Sequence, residues 1–240
     1  MTGRIPTAPC VPPPNVAMPA NLPTQVGQKV QAPRATMADI EGRDYYLFLD
    51  ISSSMMEADV EMAPGLIMSR WDAIKEAIPM ISQEILKRDP DGFTMYTFAK
   101  FWDRYDITDM TTVQAILKET EPCGIATLLY KPLNDAIEDF FKNRRQSKGI
   151  KGATIIIITD GAAFDKAALV ERIQSAAAQL QDRRELGISF IQVGKDQGAT
   201  SFLRFMDDQI QARHDIVDCK TIDDVERIGI KQILLDALRD

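Results

Sequence analysis

Seven consecutive residues, Ala153-Thr154-Ile155-Ile156-Ile157-Ile158-Thr159, are apolar or β-branched with no polar alternation. A strand with one wet face alternates, whereas a run like this is covered on both faces, as in the middle of a parallel sheet. Parallel strands need crossovers, and the flanking sequence supplies them as helices. The stretch 66–88 carries Trp71, Ile74, Ile78, Ile81 and Ile85 at steps of three and four, one face of a helix with Pro79 inside it. Asp89-Pro90-Asp91-Gly92 ends that helix. Strands are expected at 45–50, 153–159, 188–193 and 215–219, and an antiparallel hairpin at 93–99 and 101–108. Further helices are expected at 111–119, 128–143, 166–184, 201–213 and 222–238. The pattern predicts an α/β fold: a Rossmann-like open, mostly parallel sheet with one antiparallel edge strand and helices on both faces. No internal repeat is visible.

Residues 1–43 differ in kind. They hold Pro6, Pro9, Pro12, Pro13, Pro14, Pro19, Pro23 and Pro33, eight of the 13 prolines in the chain. Proline fixes φ and removes a donor, and the few apolar residues here cannot offset ordering entropy, so this reads as a disordered arm. A folded domain is expected over 44–240. The formal charge is −7; residues 1–43 contribute +2, which leaves −9 on the remainder. An acidic body argues against nucleic acid or an anionic membrane as the main partner. No apolar run approaches the ~20 residues that span a bilayer, and no signal-peptide pattern opens the chain. Cys10, Cys123 and Cys219 form no close-spaced pair and read as reduced thiols in a cytoplasmic protein.

Two of the apolar strands end in an acid: Leu49-Asp50 and Thr159-Asp160. Ligands of open α/β sheets bind beyond the carboxyl ends of the strands, so both carboxylates are expected at that edge. Ser52 and Ser54 follow Asp50 at alternate positions, and Cys123-Gly124-Ile125-Ala126-Thr127 offers a hydroxyl just before a helix, where it is also a candidate N-cap. Carboxylates and neutral hydroxyls suit a hard divalent cation.

Asp-x-Ser-x-Ser, then a glycine-containing loop with Thr127, then an apolar strand ending Thr159-Asp160-Gly161, resembles the von Willebrand factor A domain family over residues 44–240. That resemblance implies a metal-ion-dependent adhesion site with Asp50, Ser52, Ser54, Thr127 and Asp160 as its residues, and Mg²⁺ (or Mn²⁺ or Ca²⁺) as the ion. Ser52, Ser54 and Thr127 would give hydroxyls; Asp50 and Asp160 would bind directly or through water. It further implies a protein partner presenting Asp or Glu to the metal, a place beside an AAA+ ATPase or in a multi-protein complex, and movement of the C-terminal helix. The chain departs from the family at Ile125 and Ala126, where many relatives have a second glycine. Glu57 and Asp59 read as a solvated acidic loop.

Enzyme readings rank below binding. His214 is the only histidine, and no Gly-x-Ser-x-Gly elbow, phosphate-binding glycine loop or zinc-spaced Cys/His cluster occurs. An Asp-nucleophile phosphotransferase needs a second acid two residues after Asp50, where Ser52 stands. The expected function is therefore Mg²⁺-dependent protein binding, as an adaptor or assembly module. The alternatives are a structural component with a vestigial metal site, docking through its arm, and a metal-dependent phosphohydrolase using Asp50 and Asp160. The runs 142–148 (basic) and Asp207-Asp208 read as solvated surface.

Overall fold

The computed structural model describes residues 35–124, 126–146, 152–161 and 163–239. In chain order these form α1 (Met37–Ile40), β1 (Asp44–Asp50), β2 (Ala58–Ala63), β3 (Leu66–Ser69), α2 (Arg70–Arg88), β4 (Phe93–Phe98), β5 (Trp102–Ile107), α3 (Met110–Glu119) and α4 (Tyr130–Gln146). Then come β6 (Ala153–Thr159), α5 (Lys166–Gln179), β7 (Leu186–Gln192), α6 (Gln197–Asp208), β8 (Val217–Thr221), α7 (Ile222–Ile228) and α8 (Ile230–Asp236). The main sheet has the order β5-β4-β1-β6-β7-β8. Every pairing in it is parallel except that of the edge strand β5 with β4. This is the expected fold class.

The chain winds outward from β1 to β4 and β5, then returns to β6 on the other side of β1 and winds outward again. The strand order therefore reverses between β1 and β6, whose register pairs Leu49 with Ile158. All seven residues of β6 are buried, which accounts for its unbroken apolar run. Its side chains alternate between two cores. Ile156 and Ile158, with Leu47 and Leu49 of β1, face α2, α3, α7 and α8. Ile155 and Ile157, with Tyr46 and Phe48, face α4, α5 and α6. Each such isoleucine contributes ~1.5–3 kcal/mol by leaving water, which fixes the centre of the sheet.

Several boundaries differ from the sequence reading. Residues 35–43, expected in the arm, belong to the folded body: Ile40 and Arg43 are buried. The arm itself, 1–34, lies outside the described residues. Residues 66–69 are strand, not helix. They pair antiparallel with β2 in a separate two-stranded hairpin that the sequence reading missed. The helix starts after them because the Ser69 hydroxyl accepts from the Asp72 N–H, an N-cap. It continues through Pro79. The expected 166–184 helix stops at Gln179, where Leu180 turns to extended backbone and buries its side chain. The last helix is two, separated at Gly229, whose φ of +78° breaks the helical path. Of the basic run, residues 142–146 continue α4, and Arg144 pairs with Glu185 at 3.0 Å.

Candidate metal and partner site

The loop after β1 opens at the point where the strand order reverses. Asp50 is fully buried and both its oxygens are engaged. The Ser52 N–H donates to Oδ1 at 2.8 Å and the Thr159 hydroxyl donates to Oδ2 at 2.7 Å. Thr159 in turn accepts from the Gly161 N–H at 3.0 Å. Ser52, in extended backbone, leads into a short 3₁₀ turn at Ser53–Met56, which brings the Ser52 and Ser54 hydroxyls to 3.0 Å from one another. Burial, and then the neighbouring charge of Asp160, push the Asp50 carboxyl up to about 6. The two acids thus meet at one edge as the strand ends predict, and their negative charges add.

Asp160 is buried too, and its Oδ2 accepts from Nη1 of Arg70 at 3.1 Å. Arg70 is the residue that sequence reasoning missed. Its side chain is 5% exposed and every nitrogen of its guanidinium meets an oxygen. Nε and Nη2 form a fork on Asp59 at 2.9 and 2.7 Å, Nη2 reaches Glu57 at 2.9 Å, and Nη1 also donates to the Ser54 carbonyl at 3.3 Å. Glu57 and Asp59 are therefore tied to Arg70 and are not merely a solvated loop; the fork holds the Asp59 carboxyl below the usual range.

Backbone bonds lace four loops together around these residues. Ile51 N–H donates to Phe98, Cys123 N–H to Ile51, Ser53 N–H to Gly124, Leu128 N–H to Ala99, and Phe164 N–H to Thr127. The Thr127 loop is thus attached to the loops after β1, β4 and β6. Thr127 is buried, and it is not the cap of α4: Asp165 takes that part, accepting from the Leu129 and Tyr130 N–H groups at 3.3 and 2.7 Å. Three large apolar side chains stand exposed on the same loops. They are Met56 at 57%, Phe101 at 77% and Phe164 at 70%. His214 lies at the opposite, amino end of the parallel strands, just before β8.

Neither a family model nor a curated protein matches the sequence. Solved structures do match. A conserved hypothetical protein, BatB from Bacteroides thetaiotaomicron, is similar with a TM-score of 0.57 at 19% identity, over 83% of this chain and 100% of that one. A manganese-loaded TRAP protein of Plasmodium vivax is similar with a TM-score of 0.53 at 15% identity, over 82% and 74% of the two chains. A D319A mutant of the PilB minor pilin from Streptococcus sanguinis gives a TM-score of 0.58 at 10% identity, over 82% and 62%. The fold is von Willebrand A-like. At these identities the likeness is one of fold, and the von Willebrand A-like frame is what brings the ends of β1 and β6 side by side.

Among the described residues no group of three or more His, Cys, Asp or Glu is arranged to hold a metal. The candidate set has only two carboxylates and relies on hydroxyls for the rest. Its chemistry fits a hard divalent cation nonetheless: all the donors are oxygen, and the buried Asp50 carboxyl, with the charge of Asp160 beside it, has negative charge for a cation to meet. Arg70 supplies one positive charge to Asp160. Asp50 has neutral donors alone, from Ser52 and Thr159.

Proposed function

We propose that this chain is a cation-dependent protein-binding module. The observation that carries the reading is the buried pair Asp50 and Asp160 at the reversal of strand order, with the hydroxyls of Ser52 and Ser54 beside them. Asp50, Ser52, Ser54, Thr127 and Asp160 would hold Mg²⁺, Mn²⁺ or Ca²⁺, and the manganese-loaded fold neighbour supports that class of ion. A bound cation would supply a Lewis-acidic position that a partner's Asp or Glu can occupy. The remaining work belongs to the chain. Asp50 orients the Ser52 backbone; the 3₁₀ turn brings two hydroxyls together; backbone bonds tie the Thr127 loop to the loops after β1, β4 and β6. Met56, Phe101 and Phe164 stand exposed on the loops that carry the site, and they would give an apolar rim for another protein to meet. The partner is thus a protein with an acidic residue set among apolar ones, in a larger assembly such as one built on an AAA+ ATPase.

A second reading, a vestigial site in a structural component, draws on Arg70, which already pairs with Asp160. The phosphohydrolase reading fits less well, because Asp50 is fully buried and both its oxygens already accept a hydrogen bond. The test is capture of partners from native lysate on the immobilised chain, in Mg²⁺ and in EDTA, with Asp50→Asn alongside. Retention that needs both Mg²⁺ and Asp50 supports the proposal. Equal retention in all arms supports the vestigial reading and sinks the first.

A further inference from the structure

We infer that Arg70 is a positioning residue for the site proposed above: it holds Asp160 by one carboxylate oxygen and sets how much negative charge the site offers a cation. The inference rests on the metal reading of that site. Its grounds are geometric. Arg70 is the first residue of α2, so its backbone is fixed by the helix and by the bond from its N–H to the Glu57 carbonyl at 2.9 Å. Its side chain lies against Gly194, where a β-carbon would sit 2.2 Å from Nε. With its nitrogens met by Asp59, Glu57, Asp160 and the Ser54 carbonyl, the guanidinium has no donor to spare. Asp160 therefore presents its charge to the site already partly balanced, through an oxygen that stays on Arg70.

Two effects follow. A fixed positive charge in the wall weakens the resident cation's hold on the protein alone. It also leaves more of that cation's charge to be met by an incoming carboxylate, which sharpens the preference for an acidic partner. Arg70 further links the site to the β2–β3 hairpin through Asp59, so Asp160 and the hairpin share one anchor. A purely structural buried ion pair would show the anchor but not the electrostatic effect. The two are separable because Arg70 and Asp59 carry opposite charges in the same network.

The experiment measures Mn²⁺ affinity of the full chain by electron paramagnetic resonance, and Mg²⁺ affinity by titration calorimetry. It compares wild type, Arg70→Gln and Asp59→Asn, with circular dichroism confirming the fold. Arg70→Gln is expected to bind Mn²⁺ roughly tenfold more tightly and Asp59→Asn severalfold more weakly, from removal of a like or an opposite charge at close range. Hydrogen exchange of residues 58–69 should speed up in both. Folded Arg70→Gln with unchanged or weakened Mn²⁺ binding overturns the inference while leaving the metal site intact. If Arg70→Gln does not fold, Asp59→Asn decides, and unchanged or tighter binding there overturns it. A wild type that binds neither ion overturns the metal reading, and this inference with it.

Discussion

A β-carbon added at Gly194 would collide with Nε of Arg70, and the glycine's φ of +80° is strained for any other residue. Gly194→Ala should therefore displace Arg70 from Asp160 without altering a candidate ligand. The expected result is a melting temperature lowered by roughly 4–8 °C, for a loss of about 2 kcal/mol in a domain of this size, read by calorimetry. An unchanged midpoint would show that Arg70 moves aside freely. Arg43 is another buried cation. Its Nε donates to the Thr154 hydroxyl at 3.0 Å and its Nη1 to the Arg184 carbonyl at 2.8 Å, while Nη2 donates to the Ala153 carbonyl. Burial lowers it to about 10, so it remains charged at neutral pH. Arg43→Met removes these buried hydrogen bonds and should cost about 3 kcal/mol in urea unfolding, with no change in Mn²⁺ affinity.

The segment 35–43 and the hairpin are the two elements whose roles the sequence concealed. A chain starting at Asp44 loses the buried side chains of Ile40 and Arg43, and Tyr45 loses the Ile40 carbonyl that its hydroxyl meets. It should be less stable than one starting at Ala35 by on the order of 3–6 kcal/mol, measured by denaturant unfolding; equal stability would show that α1 is dispensable. The sheet was legible because its signals are local. An apolar strand, a terminal acid and two alternate serines lie within ten residues, so Asp50, Ser52 and Ser54 could be placed from neighbours alone. Ala35, Ile40 and Arg43 were not, since proline content masked a short stretch whose burial depends on β6 and α8, more than a hundred residues away. The hairpin was hidden by the apolar spacing of α2, which runs back without a break into Leu66 and Ile67; Pro64-Gly65 was the turn signal that marks it. Arg70 was illegible for a similar reason. Its partners lie 11 and 90 positions away, and nothing near it in sequence pairs Asp59 with Asp160. The single long C-terminal helix failed at one residue, because a lone glycine in a helical pattern is more often tolerated than used as a break.

Across the whole molecule, the two ends of the sheet carry acid for different reasons. At the carboxyl end two aspartates converge on the candidate site. At the amino end Asp44, Asp89, Asp91, Asp106 and Asp139 line a cleft of about 360 Å³ beside Asn143. Burial first, then the charges of Asp44 and Asp91, push Asp89 up to about 6. Since its folded value lies above the ordinary 3.8, its share of stability is full below that ordinary value and is lost as the pH rises through about 6. Asp89→Asn should therefore raise the melting temperature at pH 7.5 by about 2–4 °C and give no gain at pH 4; a gain equal at both would show that the charge is not what the mutation removes. A cation at the other end should stabilise by mass action, so 1 mM Mn²⁺ is expected to raise the wild-type midpoint and leave Asp50→Asn unmoved. The distance between these two ends has a mechanical meaning. Residues 35–43 enter at the amino end of β1, while the proposed partner sits past its carboxyl end, so tension between them would run along the central strand. β1 is flanked by β4 and β6 in parallel ladders on both sides, and such a load shears both ladders at once instead of peeling them bond by bond. For the proposed module, a hold under force would last as long as this middle strand stays in its two ladders.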